Sequence, residues 1–192
     1  MNYSKDLIDF LNVSPVNYHA VKEVARRLDN AGYKYLSAEE KLGEVKAGDK
    51  FYVTKNDSSI YAFQIGKQTL GEAGFHIICA HSDSPTFRIK PNAEMTCERG
   101  MTKLNTEVYG GPIMSTWFDR PLSIAGRVII KTDDVMHPET RLLKVERPVL
   151  LIPNLAIHFN RQVNDGVKLS KQKDMLPIIG IVNDELESKI PG

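Results

Sequence analysis

The chain has 192 residues, 42% of them hydrophobic, and its 25 basic and 24 acidic side chains leave a net charge of +1. A chain of this length buries one core, or one core and a modest second unit, and the balanced charge excludes a surface that attracts nucleic acid or membranes through bulk charge. The first residues lack the pattern of a signal peptide, and no apolar run approaches the roughly 20 residues that cross a bilayer. We therefore expect a cytoplasmic protein with neither nucleic-acid nor membrane partners.

Two helices are predicted at the start of the chain. Apolar residues recur at helical spacing over residues 4–11 and 15–31, which is typical of amphipathic helices. Ser14 followed by Pro15 predicts the N-cap of the second helix, and Gly32 predicts its end.

A hairpin and a buried strand are predicted next. Residues 50–54 and 59–65 are rich in β-branched and aromatic side chains, and the polar residues 56–58 separate them, as in a β-hairpin. Residues 75–80 are apolar on both faces apart from His76, which is typical of a strand covered by other layers. Two helices, a hairpin and a buried strand together predict an α/β sandwich.

The pattern becomes mainly β after Pro85. Four further runs have strand character: 87–90, 102–109, 122–131 and 148–152. Because few helical patterns separate them, we place a domain boundary near Pro91, which divides the chain into residues 1–90 and 91–192.

Two histidines are candidates for chemistry. His81 and Asp83 follow the predicted buried strand directly, where an open α/β sheet places its ligand sites, so the imidazole could bind a metal that the carboxylate supports. By spacing alone, a structural histidine capped by a turn aspartate is the favoured alternative. His158 has apolar neighbours, which favour a core histidine; the functional alternative is an imidazole delivered to a metal or a substrate carbonyl.

Several enzyme classes lack support. No GxSxG nucleophile motif and no phosphate-binding glycine motif occurs in the sequence. Cys79 and Cys97 form no CxxC pair, which excludes a disulfide framework, and they have no plausible base beside them, so a thiol enzyme has no support either.

A set of segments, in order and at sensible spacings, resembles one family. The matching segments are residues 14–15, 18–21, 25–28, 31–33, 52–56, 58–60, 80–85, 88–91, 109–111, 115–122, 125–128 and 152–161. Together they resemble the aspartyl aminopeptidase and vacuolar aminopeptidase I family of di-zinc exopeptidases.

The resemblance implies a fold and roles for the candidate residues. The chain would hold the N-terminal part of a zinc-exopeptidase-like α/β sandwich in residues 1–90, followed by an inserted, mainly β dimerisation domain in residues 91–192. His81 would bind one zinc of a pair, or cobalt, and Asp83 would be the catalytic carboxylate that supports it. His158 would reach the active site of the neighbouring subunit, as a substrate contact or a metal ligand. The substrate would be a peptide, and the chain would form at least a dimer.

The family's remaining catalytic residues do not occur in this sequence. They are a bridging aspartate, a Glu-Glu pair that supplies the general base, a further aspartate and a late histidine, all beyond the inserted domain. We therefore expect residues 1–192 to be an incomplete, catalytically inactive part of an aminopeptidase. We also expect this part to be prone to aggregate, because the predicted strand at 75–80 lacks some of the segments that would pack over it. The alternatives are a non-enzymatic, self-associating assembly module with a degenerate catalytic remnant, and an unrelated α/β binding protein with a structural His81.

Overall fold

The computed structural model describes residues 2–37, 39–97 and 100–181. The chain divides into two compact units, Met1–Ser84 with Ala125–Lys144, and Pro85–Ile124 with Val145–Gly192. This division departs from the predicted partition at residues 90 and 91, because the chain leaves the first unit after Ser84 and later returns to it. Within the described residues, no helix combines the length and the apolar character that a membrane crossing requires.

The regular elements are short and mostly β. In chain order they are α1 Tyr3–Val13, α2 Asn17–Asn30, β1 Lys34–Tyr35, β2 Lys50–Lys55, β3 Ser59–Gln64, α3 Leu70–Ala73, β4 Thr86–Thr96, β5 Met101–Tyr109, a 3-10 helix Met114–Trp117, β6 Ala125–Ile130, β7 Glu139–Lys144 and β8 Ile178–Ile181. The first unit combines helices with two small sheets, and the second is mainly β, so the predicted α/β class is confirmed.

Helices α1 and α2 form where the apolar spacing predicts them, but the predicted cap between them is wrong. Ser14 is the C-cap of α1, where its backbone N–H donates to the carbonyl oxygen of Leu11 at 3.2 Å. Helix α2 begins at Asn17, and its N-cap, Val16, makes no side-chain capping bond. Ser14 does not cap α2 because it already ends the preceding helix.

The end of α2 follows the prediction. Gly32 has a positive φ of 79°, which glycine adopts without the steric cost of a Cβ. Its N–H donates to the carbonyl of Asp29, and the N–H of Tyr33 donates to that of Leu28, both at 3.0 Å. This is the Schellman arrangement, and it turns the chain directly into β1.

The predicted hairpin is confirmed as β2 and β3, which pair antiparallel, while β1 pairs parallel with β2 on the other side. Asn56 and Asp57 are the central residues of the turn, which the Ser58 N–H closes by donating to the Lys55 carbonyl at 3.1 Å. Their φ values of 52° and 53° are the left-handed conformation of a type I′ turn. On β2, the buried Tyr52 donates its hydroxyl to the Asp29 carboxylate at 2.9 Å. Burial, with that carboxylate nearby, raises the pKa of Tyr52, and the bond joins α2 to the sheet.

The predicted buried strand at residues 75–80 is wrong for this structure. These residues have no regular secondary structure and are exposed, with 77% exposure at both Phe75 and Ile77 and 98% at Ile78. A strand that is apolar on both faces needs neighbouring strands to pair with and layers to cover it. In the described part of the chain, no strand pairs with this segment, so its apolar side chains face solvent.

A second hairpin, β6 and β7, belongs to the first unit. Strand β6 is shorter than the predicted run 122–131, and β7 lies where no strand was predicted. Arg127 on β6 donates to the carbonyl oxygen of Asn56 at 3.0 Å, and its guanidinium lies 4.4 Å from the ring centre of Tyr18. These contacts attach the hairpin to the β2–β3 turn and to α2.

The second unit is built on an antiparallel sheet in the order β4–β5–β8. Its core is formed by Val108, Ile152 and Met175, with partly buried apolar side chains packed around them. The predicted strand 148–152 forms only isolated bridges, at Leu150, Leu151 and Ile152.

Candidate functional site

His81 and Asp83 lie together in the loop that ends the first stretch of the first unit. The imidazole Nδ1 is 3.0 Å from Asp83 Oδ1, and the His81 side chain is 91% exposed while that of Asp83 is 27% exposed. Between them, Ser82 donates its hydroxyl to the carbonyl of Ser58 at 2.9 Å, which tethers the loop to the first residue before β3. The carboxylate therefore orients the imidazole, and Nε2 is the nitrogen placed to bind a ligand.

This donor set fits one part of a zinc site. Zinc accepts imidazole nitrogen, and the other ring nitrogen of a zinc-bound histidine usually bonds to a carboxylate, as Nδ1 does here. In the ranges 2–37, 39–97 and 100–181, however, no three His, Cys, Asp or Glu side chains come together as a group that could hold a metal. A catalytic zinc needs about three protein ligands and an open position, and at His81 the described residues supply one ligand and its support.

His158 is exposed, in a turn of the second unit. Its neighbours Leu155, Ile157 and Phe159 are 61%, 51% and 81% exposed. The expectation of a core histidine is therefore wrong, because the apolar residues around it in the sequence are themselves on the surface. The structure brings His81 and Asp83 into contact, whereas His158 belongs to the other unit, and its predicted role stays a prediction.

A second histidine–aspartate pair was not singled out from the sequence. In the loop between β6 and β7, His137 Nδ1 is 2.7 Å from Asp134 Oδ2, and both side chains are exposed. The bond to His137, with help from the Met136 N–H, lowers the pKa of Asp134. The only sequence feature of the His137–Asp134 pair is its spacing of three residues. Its hydrogen bonds explain it as a pair that stabilises the turn.

The environment of His19 was also not predicted from the sequence. Its Nδ1 is buried without a hydrogen-bond partner in the described part of the chain, as is Ser14 Oγ. Burial, and then the charges of Lys22 and Lys144, lower the pKa of His19. The lowered pKa favours the neutral imidazole, because a proton would add a third positive charge beside these two lysines.

Comparison with known proteins decides the family. Residues 10–192 match the family model described as aminopeptidase I zinc metalloprotease, M18. The chain belongs to the M18 family. This confirms the predicted resemblance, which rested on segments spread along most of the sequence.

The M18 relatives include two clostridial proteins, each named probable M18 family aminopeptidase 2. The protein from Clostridium novyi is 50% identical over 187 residues, which are 97% of this chain and 43% of that protein. The one from Clostridium acetobutylicum is 51% identical over 98% of this chain and 43% of its own length. The chain thus spans about two fifths of the length of these M18 relatives.

Solved structures of M18 proteins share the fold. The structure described as the Ape4 and Nbr1 complex matches with a TM-score of 0.88 and 38% identity, covering 97% of this chain and 35% of that one. Chaetomium thermophilum mApe1 matches with a TM-score of 0.83 and 33% identity, covering 96% and 41%. The mApe1 dodecamer of S. cerevisiae matches at 0.77 and 29%, covering 99% and 40%. The mixed α/β fold is therefore that of M18 aminopeptidases.

Proposed function

We propose that this chain is part of a zinc-dependent aminopeptidase that removes N-terminal residues, with acidic residues as one candidate class, from peptides. The observation that carries the proposal is the match to the M18 zinc metalloprotease family over residues 10–192. Clostridial relatives at 50% and 51% identity are named as aminopeptidases. The His81–Asp83 contact supports it locally, because a carboxylate-oriented imidazole is suited to metal binding.

Each candidate residue has a separate task in this proposal. His81 binds one metal of a pair through its imidazole, and Asp83 holds the ring in the orientation that this requires. His158 contacts the substrate, or binds metal, in the active site of a neighbouring subunit. When bound, zinc, or cobalt in its place, polarises the carbonyl of the first peptide bond and activates the water that attacks it.

We also propose that residues 1–192 have negligible peptidase activity on their own. A site of this kind needs further ligands and a general base, and the described residues hold no group of three potential ligands. Metal-dependent hydrolysis of an aminoacyl anilide by the purified chain would contradict this proposal.

Replacing the metal-binding imidazole tests the function in the whole protein that the gene encodes. His81→Ala is expected to lower the bound zinc and to reduce aminoacyl anilide hydrolysis at least about a hundredfold, because a zinc ligand is lost. Zinc content is measured by mass spectrometry of the purified protein, and activity by release of the anilide.

The matched control is His137→Ala, which removes an imidazole of similar exposure, 83% against 91%, from a comparable aspartate pair. It is expected to leave zinc content and activity unchanged. Equal losses of zinc and of activity in both variants would contradict the assignment of His81 as a metal ligand. A whole protein with neither zinc nor activity would favour the alternative function, a self-associating assembly module with a degenerate catalytic remnant.

Self-association is proposed for either function, as at least a dimer formed through residues 91–192. A related protein is described as a dodecamer, and the second unit exposes apolar side chains at Leu155, Ile157 and Phe159, as surfaces that bind a partner do. Sedimentation velocity of the purified chain is expected to show a dimer whose fraction increases with protein concentration. Monomer alone at the highest concentration would contradict the proposal.

The cytoplasm remains the proposed compartment. Both cysteines are free, and Cys79 is exposed, which suits a reducing environment.

A further inference from the structure

The turn between β2 and β3 is bound by side chains from two separate parts of the first unit. On one side, Arg127 of β6 donates from its guanidinium to the carbonyl oxygen of Asn56 at 3.0 Å. On the other side, Ser82 donates its hydroxyl to the carbonyl oxygen of Ser58 at 2.9 Å. The turn therefore connects β6 to the loop that contains His81.

The turn is closed tightly between these two contacts. The N–H and the hydroxyl of Ser58 both donate to the carbonyl of Lys55, at 3.1 and 3.3 Å. Asn56 and Asp57 have φ values of 52° and 53°, in the small left-handed region that leaves a residue little conformational freedom. Directly beyond them, Lys55 pairs with Ser59 as the first rung of the hairpin. A displacement of the Asn56 carbonyl therefore displaces the Ser58 carbonyl as well.

Arg127 is held in place on the side away from the turn. Its guanidinium lies 4.4 Å from the ring centre of Tyr18 on α2, an attractive cation–π contact. Its backbone is held in the β6–β7 hairpin, opposite Leu142. Because a guanidinium is planar and has several N–H donors, it can stack on a ring and donate to a carbonyl at the same time. Helix α2 and strand β6 thus fix the turn through one side chain.

Ser82 lies between the two residues of the candidate metal site. His81 Nδ1 is 3.0 Å from Asp83 Oδ1, and the His81 side chain is 91% exposed. An imidazole this exposed is held by few packing contacts, so its position depends on the backbone that the Ser82 hydroxyl ties to the turn. Site residues must be held within about 0.5 Å of their productive position. Support of the loop therefore affects how well the imidazole can bind a metal.

We propose that Arg127 and Ser82 are positioning residues for the metal ligand His81, and that they act together through the β2–β3 turn. The inference rests on the proposed function, because that function makes His81 a metal ligand. Arg127 belongs to the second stretch of the first unit, Ala125–Lys144. The return of the chain to this unit thus completes the support of a site whose residues lie in the first stretch.

The first test measures the order of the loop in the chain without metal. Nitrogen-15 relaxation gives the order parameters of the backbone N–H groups of residues 81–83, which are expected to be about 0.85 in the wild type, as in rigid backbone. Arg127→Met and Ser82→Ala are each expected to lower them below about 0.6. The order parameters of β2 are expected to stay unchanged, whereas a general loss of structure would lower those as well.

The second test measures the zinc Kd of the whole protein that the gene encodes, by competition with a chelating dye. Arg127→Met and Ser82→Ala are each expected to raise the Kd about tenfold, since losing the groups that orient a ligand costs about 10–100-fold in affinity. Because both side chains act through one turn, the double variant is also expected to raise the Kd about tenfold. Independent effects would multiply to about a hundredfold.

The matched controls are Arg141→Met and Ser84→Ala. Arg141 is an exposed arginine on β7 of the same hairpin, where it pairs with Glu139, and Ser84 is an exposed serine two residues after Ser82. Both controls are expected to keep the wild-type order parameters and zinc Kd. Thermal unfolding followed by circular dichroism establishes that every variant is folded.

Three outcomes would overturn the inference: unchanged order parameters at residues 81–83 in Arg127→Met and Ser82→Ala, equal effects in these variants and in the controls, or independent effects in the double variant. A zinc Kd that depends on His81 but not on Arg127 or Ser82 would also overturn it and leave the proposed function intact. Loss of loop order in both variants, with zinc binding that does not depend on His81, would contradict the proposed function instead.

Discussion

Replacing Ile152 by alanine is expected to lower the free energy of unfolding of the second unit by about 2–5 kcal/mol, the usual cost of such a truncation in a core. Ile152 is 1% exposed and packs with Val108 and Met175. The free energy of unfolding of a whole domain is only about 5–15 kcal/mol. The variant should therefore unfold at clearly lower urea, measured by the fluorescence of Trp117, which packs against the same cluster.

Ile113→Ala is the matched control, because it removes the same atoms from a side chain in the same unit that is 72% exposed. It is expected to change the free energy of unfolding by no more than about 0.5 kcal/mol. Equal losses for Ile113→Ala and Ile152→Ala would show that the observed burial does not describe this unit.

Ile77→Lys combined with Ile78→Lys is expected to suppress aggregation of the chain without destabilising it. Both side chains are largely exposed, at 77% and 98%, so the lysines displace no packed atoms. Apolar segments without charge or pairing promote association between chains, and charges interrupt it. Light scattering against protein concentration measures aggregation, and urea unfolding measures stability.

The control for this variant is Val135→Lys combined with Met136→Lys. These two neighbouring side chains are 80% and 82% exposed, in the loop between β6 and β7, but they do not belong to a longer apolar run. The control is expected to aggregate nearly as much as the wild type. Unfolding of the Ile77→Lys/Ile78→Lys variant would instead show that the segment is packed in solution. That variant should still form the proposed dimer, because the substitutions lie outside residues 91–192.

Elements governed by local chemistry could be predicted from the sequence. The end of α2 depends on Gly32, and the first hairpin depends on two residues, Asn56 and Asp57, that tolerate a positive φ. The His81–Asp83 contact was also predictable, since two residues of separation bring the groups within reach. In each case the determining atoms lie within a few residues of one another.

The predictions that are wrong concern residues whose environment depends on interactions distant in sequence. Residues 75–80 have the composition of a buried strand, but a strand depends on partners that no local pattern supplies. His158 has apolar neighbours whose exposure only the folded chain reveals. The burial of His19 likewise depends on packing, and its lowered pKa depends in part on the charge of Lys144, more than a hundred residues away.

The discontinuity of the first unit has a consequence for synthesis on the ribosome. Its β6–β7 hairpin ends at Lys144, and Arg127 on that hairpin holds the turn at Asn56. A nascent chain has made all of Met1–Ser84 well before it can form this contact, and the intervening stretch Pro85–Ile124 belongs to the other unit. Because domains generally fold as units as they emerge, the first unit cannot complete its fold until about three quarters of the 192 residues have been translated.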